Sequence, residues 1–268
     1  MKKIFALILV LSLLLGVSAL ADQEITVMAS ATPHDIILQF VKDDLKALGY
    51  DLKVIVVDDY YIGNPSTAAG EVDCNYFQHI PFLDSYNENA PEDEQLVAAL
   101  GVHCEPYGIY PGTKKDLSEI AAGDKIAVTN DPSNETRALL LLQDAGLIVL
   151  PEGADYTSNL RVEDIVDTKG IKIVELDAQM IPSVLDDVAF AVINGNYVLD
   201  AGMSIGDALF LETEGVTGAI YTNYIVCRPD DVDSDWMNAL KTVLFTEKVY
   251  NFIVNANFEG GVIPTFEY

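Results

Sequence analysis

The sequence predicts an α/β fold of two lobes, and three observations carry that expectation. Strand-like and helix-like stretches alternate along the chain, the pattern of α/β architecture with mainly parallel sheets. Two segments, residues 105–112 (with Pro106, Gly108, Pro111 and Gly112) and residues 218–229, look like crossings between lobes. At 268 residues, half of them hydrophobic, the chain can bury a core in each lobe. Two lobes joined by two extended crossings enclose a cleft, the usual place for a small ligand.

The elements follow in order. Met1-Lys2-Lys3, an apolar run over residues 4–17 and then Ser18-Ala19-Leu20-Ala21 have the three parts of a signal peptide. We expect residues 1–21 to be removed, so that the mature chain begins at Asp22. No Cys lies near Ala21 to form a lipobox, which predicts a freely diffusing periplasmic or secreted protein. No later apolar stretch is long enough for a membrane helix. Ile25-Thr26-Val27-Met28-Ala29 reads as a buried strand. Thr32 then caps a helix with Pro33 at its first position; Ile36, Ile37, Phe40, Val41 and Leu45 form its apolar face, and Gly49 stops it. Strand patterns follow at residues 52–57, 96–100, 125–129, 171–176 and 189–193, with a helix at 133–145. The β-rich run 220–226 leads to two C-terminal helices. Residues 22–108 and 224–268 are expected to build one lobe and residues 109–223 the other.

Charge narrows the function. Fifteen Lys and Arg against 42 Asp and Glu give a net charge of −27, with no basic cluster after Lys3. Nucleic-acid binding is excluded, because phosphate contacts need Lys and Arg. Adsorption to an anionic membrane surface is disfavoured for the same reason. With 21% charged residues and half apolar, the chain is not disordered.

The chemistry-bearing residues cluster in a few places. In Asn130-Asp131-Pro132-Ser133-Asn134-Glu135-Thr136-Arg137 a strand turns into a helix, and free N–H groups with the dipole's positive end suit a carboxylate. Arg137 is one of three arginines, and Asn134 lies three residues before it on the same helix face. A guanidinium fork is a natural carboxylate clamp, although Arg137 could equally pair with one of the chain's many acids. Residues 73–82 (Asp-Cys-Asn-Tyr-Phe-Gln-His-Ile-Pro-Phe) read as a strand end and a turn, dense in aromatic and amide groups, serving either a site or core packing. Asn194-Gly195-Asn196-Tyr197 follows a strand, and Asn223 stands among β-formers, where a buried amide needs a partner. Cys74, Cys104 and Cys227 form no zinc pattern, and a Cys74–Cys104 bridge is allowed. Adjacent His103 and Cys104 point to opposite faces of a strand, which argues against a nucleophile pair. The three histidines are widely spaced, so no metal site is expected.

Taken together these residues resemble one family, the methionine-binding (NlpA-type) substrate-binding proteins of bacterial ABC importers. The matching pieces are Thr32-Pro33-His34, Asp59-Tyr60, Asn64, the NYFQHIP core of residues 75–81 and His103-x-Glu105-Pro106. Further on come Asn130-Asp131-Pro132-x-Asn134-x-x-Arg137, Ala191-Val192-Ile193-Asn194-Gly195-Asn196-Tyr197, Asn223 and Gly261-Val262-Ile263-Pro264. The resemblance implies a two-lobed periplasmic-binding-protein fold of type II-like plan, with an interlobe cleft. It implies that Arg137 and Asn134 hold an amino-acid carboxylate, and that Asn194 and Asn223 hold the ammonium or carboxylate. Tyr60, Phe77, His79 and Phe82 would form the side-chain pocket, supported from behind by Glu105 and Tyr107. It implies L-methionine as ligand, an ABC permease with its cytoplasmic ATPase as partner, a monomer, no cofactor, no metal and no catalytic residue. D-methionine, a methionine-containing dipeptide or another apolar amino acid remain rival ligands, and a secreted Cys-dependent hydrolase or a surface adhesin are rivals of other classes. Phe82, where Tyr is common, Tyr107, where Met is frequent, and Ser183, where Arg often follows Pro, depart from the family's pattern.

Overall fold

The structure is a computed structural model that describes residues 22–213, 218–255, 258 and 260–268. The expected signal segment, residues 1–21, lies outside the described residues. β1 (Gln23–Ala29) opens the fold, and α1 (Ile36–Ala47) follows an irregular turn over Ala31–Asp35. Thr32 is the one residue of that turn with a non-helical backbone (φ −119°, ψ 131°), the conformation expected both before a proline and at a helix cap. Gly49, at φ +90°, ends α1 as expected. Ile37, Val41 and Leu45 are fully buried, whereas Ile36 is exposed and Phe40 stacks on Phe252.

β2 (Tyr50–Val56) pairs with β1, and α2 (Tyr60–Ala68) leads to β3 (Cys74–His79) and α3 (Ile80–Asn87). The stretch expected to be a strand end and a turn is thus a whole strand followed by a helix. All six residues of β3 are buried, so no polar–apolar alternation marked it. β4 (Val97–Cys104) runs on to Glu105, Pro106 and Tyr107, which cross into β5 (Gly108–Pro111). β6 (Lys125–Thr129), α4 (Pro132–Asp144), β7 (Lys172–Leu176), β8 (Phe190–Ile193), α5 (Gly195–Asp200) and β9 (Phe210–Leu211) complete the second lobe. The chain returns in β10 (Asn223–Cys227), α6 (Asp235–Leu244), α7 (Glu247–Asn255) and β11 (Ile263–Pro264).

The six-stranded sheet has the order β11-β4-β10-β3-β1-β2 and the five-stranded sheet the order β7-β6-β8-β5-β9. Both are mixed, which corrects the expectation of mainly parallel sheets. β10, returning from the second lobe, inserts antiparallel between β3 and β4, and β5 lies antiparallel to β8 and β9. Strands that carry the crossings run against the βαβ direction of their neighbours. Each sheet has its own core: α1, α6 and α7 bury Leu45, Leu240 and Ile253 against the first, and α4 buries Leu139 and Leu142 against the second. A third cluster joins Tyr60, Phe77 and Phe82 of one lobe to Tyr110, Ile193 and Tyr197 of the other. Among the described residues no helix is long and apolar enough to cross a membrane.

Candidate ligand-binding site

A small cavity lies between the lobes, lined by Tyr60, Phe77, Gln78, His79, Phe82, Glu105, Asn134, Arg137, Asn194, Gly195, Asn196 and Asn223. All eight residues expected to contact a ligand are in this lining. Gln78, Gly195 and Asn196 join them, and Glu105, expected only in support, reaches the cavity itself. Tyr107 does not line it, but its ring lies 4.8 Å from the Arg137 guanidinium carbon. Ser183 is exposed and absent from the lining, so its departure from the family pattern does not touch the cavity.

One end of the cavity is aromatic. Tyr60 begins α2, Phe77 comes from β3 and Phe82 from the first turns of α3. Their ring centroids are 5.7, 5.8 and 5.6 Å apart, one pair stacked and two edge-on. Gly63 makes this possible, since a Cβ there would stand 2.4 Å from the Phe77 ring. The Tyr60 hydroxyl donates across the cleft to Asn196 Oδ1 at 2.6 Å. His79 caps α3 by accepting from the Phe82 N–H through Nδ1, which leaves Nε2–H to donate to Asn134 Oδ1 at 3.0 Å. Burial and the nearby Arg137 charge hold the His79 pKa down at about 3, so the ring is neutral.

The other end is polar. Asp131 caps α4 by accepting from Asn134 N at 3.0 Å, and it also takes Asn134 Nδ2 at 2.9 Å. Asn134 Oδ1 accepts from Asn194 Nδ2 at 3.1 Å as well as from His79. The Asn134 side chain therefore bridges the two walls. Arg137, one turn further along α4, is buried and pairs with Glu212. Burial works against its charge, but the Glu212 carboxylate together with Tyr221 and Tyr107 outweighs this and keeps its pKa above the usual arginine value. Of the two readings of Arg137, the ion pair is what its contacts show, and the side chain also lines the cavity.

Strand register assembles the remaining corner. Asn223, at the start of β10, lies opposite His79 of β3 on one side and His103 of β4 on the other. His34 Nε2–H donates to Asn223 Oδ1 at 3.1 Å, and His103 Nε2–H donates to Glu105 Oε1 at 2.8 Å. Tyr76 bonds to the other nitrogen of His103, fixing that tautomer. Burial lowers the pKa of His103 to about 3; burial and then His103 lower that of His34 to about 4. Burial raises the pKa of Glu105. His34, His103 and Glu105 offer donor atoms within 4.8 Å of one another, a convergence invisible in their sequence spacing. Hydrogen bonds to Asn223 and Tyr76 already engage both rings, so the set is built as a hydrogen-bond chain.

Two cavity-lining atoms, Asn194 Oδ1 and Asn196 Nδ2, are buried with no hydrogen-bond partner among the described residues. An unmet acceptor and an unmet donor beside a guanidinium and a carboxylate complement a zwitterion. Asn196 was within reach of sequence reasoning: it stands in the Asn-Gly-Asn-Tyr turn, two residues from Asn194. Gln78 was not, because its amide turns away to Asn64 and Asn75.

The cysteines stand outside this site. Cys74 lies opposite Cys227 across the β3–β10 pair, and β10 separates it from the strand of Cys104. Two inter-strand steps, about 9.6 Å, are beyond disulfide reach, so the Cys74–Cys104 bridge allowed by sequence is excluded. Burial pushes the Cys74 thiol well above its usual pKa, the reverse of an activated nucleophile.

The comparisons with known proteins agree with this geometry. The pattern of the NlpA lipoprotein family matches residues 25–266. The methionine-binding lipoprotein MetQ of Bacillus subtilis is 37% identical over 252 residues, covering 91% of this chain and 89% of its own. A solved nutrient-binding protein from Burkholderia cenocepacia, bound to methionine, is 38% identical with a TM-score of 0.83 over 90% of this chain and 100% of its own. A periplasmic substrate-binding protein of an ABC transporter from Coxiella burnetii is 35% identical with a TM-score of 0.80, over 90% and 99%. One expectation is overturned here. The family and its member MetQ are lipoproteins by name, so the reading of an unanchored, freely diffusing protein does not stand. That reading rested on the residues around Ala21, which lie outside the described part of the chain. A fold, a cavity and a family pattern that coincide over almost the whole described length lead to one assignment: this chain belongs to the NlpA lipoprotein family of substrate-binding proteins.

Proposed function

We propose that this protein captures a free α-amino acid, methionine first, between its lobes and delivers it to an ABC permease driven by a cytoplasmic ATPase. It is a binding protein and not an enzyme. One observation carries the choice of ligand: a single interlobe cavity joins three aromatic walls to a guanidinium, a carboxylate and two unpaired amide atoms. In this reading Arg137 takes the ligand carboxylate, while Glu105, Asn194 and Asn223 take the ammonium. Asn134 fixes the wall between them. Tyr60, Phe77, His79 and Phe82 surround the thioether, a soft group that suits aromatic edges. A zwitterion removed from water needs such fixed partners at both ends.

The proposed moving units are residues 22–108 with 224–268 and residues 109–223. Each supplies half of the cavity, so a ligand that touches both favours closure. Two lobes of one chain complete the site, which supports a monomer. A second reading has its own observation. An outer cavity of about 550 Å³ shares the Tyr60 and Phe82 walls and extends past Tyr61 and Tyr86. A ligand longer than methionine, such as a methionine-containing dipeptide, would reach into it.

Calorimetric titration of protein that has been unfolded and refolded to strip bound ligand tests both readings. Saturable one-to-one binding of L-methionine, tighter than that of D-methionine or a dipeptide, is the expected result. No heat with L-methionine from a folded sample would remove methionine as the ligand, and tighter dipeptide binding would favour the outer cavity.

A further inference from the structure

Arg137 is held by more than its helix. Its Nε and Nη2 donate to the two carboxylate oxygens of Glu212 at 3.0 and 2.6 Å, and Nη2 also donates to the main-chain oxygen of Glu105 at 3.0 Å. The Tyr221 ring lies 3.8 Å from the guanidinium carbon. Glu105 and Tyr107 belong to the outgoing crossing and Tyr221 to the returning one, while Glu212 directly follows β9. The Glu212 N–H donates to the Tyr107 carbonyl at 2.9 Å, so the end of β9 is tied to the outgoing crossing beside the arginine. A guanidinium has five N–H groups. Three are used in this way, and the two on Nη1 donate to none of the described residues.

We infer that Glu212 is a positioning residue for the ligand carboxylate, occupying the Nε–Nη2 edge so that Arg137 meets the ligand through Nη1 alone. The inference rests on the amino-acid reading above. Two physical reasons support it. The first is orientation: a bidentate carboxylate and a ring face leave the guanidinium little freedom, so little remains to be lost when ligand binds. The second is competition. Glu105 lines the same cavity and feels the Arg137 charge. Without Glu212, Arg137 would turn toward the Glu105 carboxylate, and the two charged ends of the site would neutralise each other. Glu212 keeps the cation and the anion of the site apart, each available to its own end of a zwitterion. End-on capture by one nitrogen leaves a ligand oxygen in need of another donor, and Asn196 Nδ2, buried and unpaired in the same lining, is suited to supply it.

The test compares wild-type protein with Glu212→Gln and Glu212→Asp, titrated with L-methionine and with L-methioninamide, whose carboxylate is replaced by a neutral amide. Glu212→Gln should weaken L-methionine at least tenfold and change L-methioninamide less than threefold. Unchanged or tighter L-methionine binding, or equal losses for both ligands, would overturn the inference. Spectra of ligand-free protein labelled with ¹⁵N in its three arginines give a reading independent of ligand identity. Arg137 should show one slowly exchanging Nε–H that disappears in Glu212→Gln; its persistence there would overturn the inference. Should the Gln variant fail to fold, Glu212→Asp keeps the charge with a shorter reach, and it should exchange that proton faster and bind L-methionine several-fold more weakly. A wild-type protein that ignores L-methionine but shows the protected Nε–H would instead strike the amino-acid reading and leave the role of Glu212 standing.

Discussion

A Cβ on Gly195 would stand 2.7 Å from both the Cβ and the Oε2 of Glu105, closer than side chains approach one another. Its backbone demands no left-handed conformation, so glycine is needed there for space: the turn after Asn194 must pass against the carboxylate of the opposite crossing. Gly195→Ala should push Glu105 off His103 and out of the cavity. Overpacking of this kind costs roughly 1–3 kcal/mol in stability, and ligand affinity should fall at least tenfold, about 1.4 kcal/mol. Calorimetry on the folded variant checks this, and wild-type affinity would remove Glu105 from the site. Gly63 plays the matching part at the aromatic end, where the space is taken by the Phe77 ring.

At the scale of elements, the start of α4 governs the polar end of the cavity. Asp131 is buried and accepts from Asn134 N, Asn134 Nδ2, Thr129 Oγ1 and Ser133 Oγ. Asp131→Ala removes a cap worth about 1 kcal/mol and leaves buried donors unpaired at roughly 1–3 kcal/mol each. We expect a loss of at least 2 kcal/mol by urea unfolding, together with weaker ligand binding, because Asn134 and Arg137 ride on that helix. A loss under 1 kcal/mol would show that the cap does not hold the site. This element was legible in the sequence, since a capping acid, Pro132 at the first position and an arginine one turn on are local signals. β6 was read to the residue for the same reason. β3 and α3 were not, because a strand covered on both faces shows no alternation and α3 starts from a histidine cap. The pairing of Asn223 with His34, and the approach of His34 to His103, depend on tertiary packing that local spacing does not carry. Glu212 was beyond reach too: it lies 75 residues from Arg137, and nothing nearby distinguishes it from the other acids.

For the whole molecule, three buried neutral histidines set the response to pH. His34, His79 and His103 have folded pKa values of about 4, 3 and 3, against 6.5 for an exposed ring. The folded pKa is depressed, so between pH 6.5 and the folded values the unfolded chain binds more protons than the folded one. Stability from these groups is therefore complete above pH 6.5 and is lost as pH falls, by up to about 1.4 kcal/mol per pH unit for each ring. Buried Glu105 and Asp131 act with the opposite sign. Their folded pKa values are raised by burial, so the folded state gains from their protonation as pH falls through those raised values. Relief of repulsion in a chain of net charge −27 also favours the folded form as acid is added, and it too follows carboxylate titration. Between pH 7.5 and 5.5 the three rings together withdraw on the order of 4 kcal/mol from the ligand-free protein, the three slopes over one pH unit, and protonation of the buried carboxylates offsets part of it. For a chain of this length that lowers the thermal midpoint by on the order of 10 °C. Thermal unfolding at half-unit pH steps measures it, and a flat or rising midpoint over this interval would mean that the three rings are not held neutral in the folded interior.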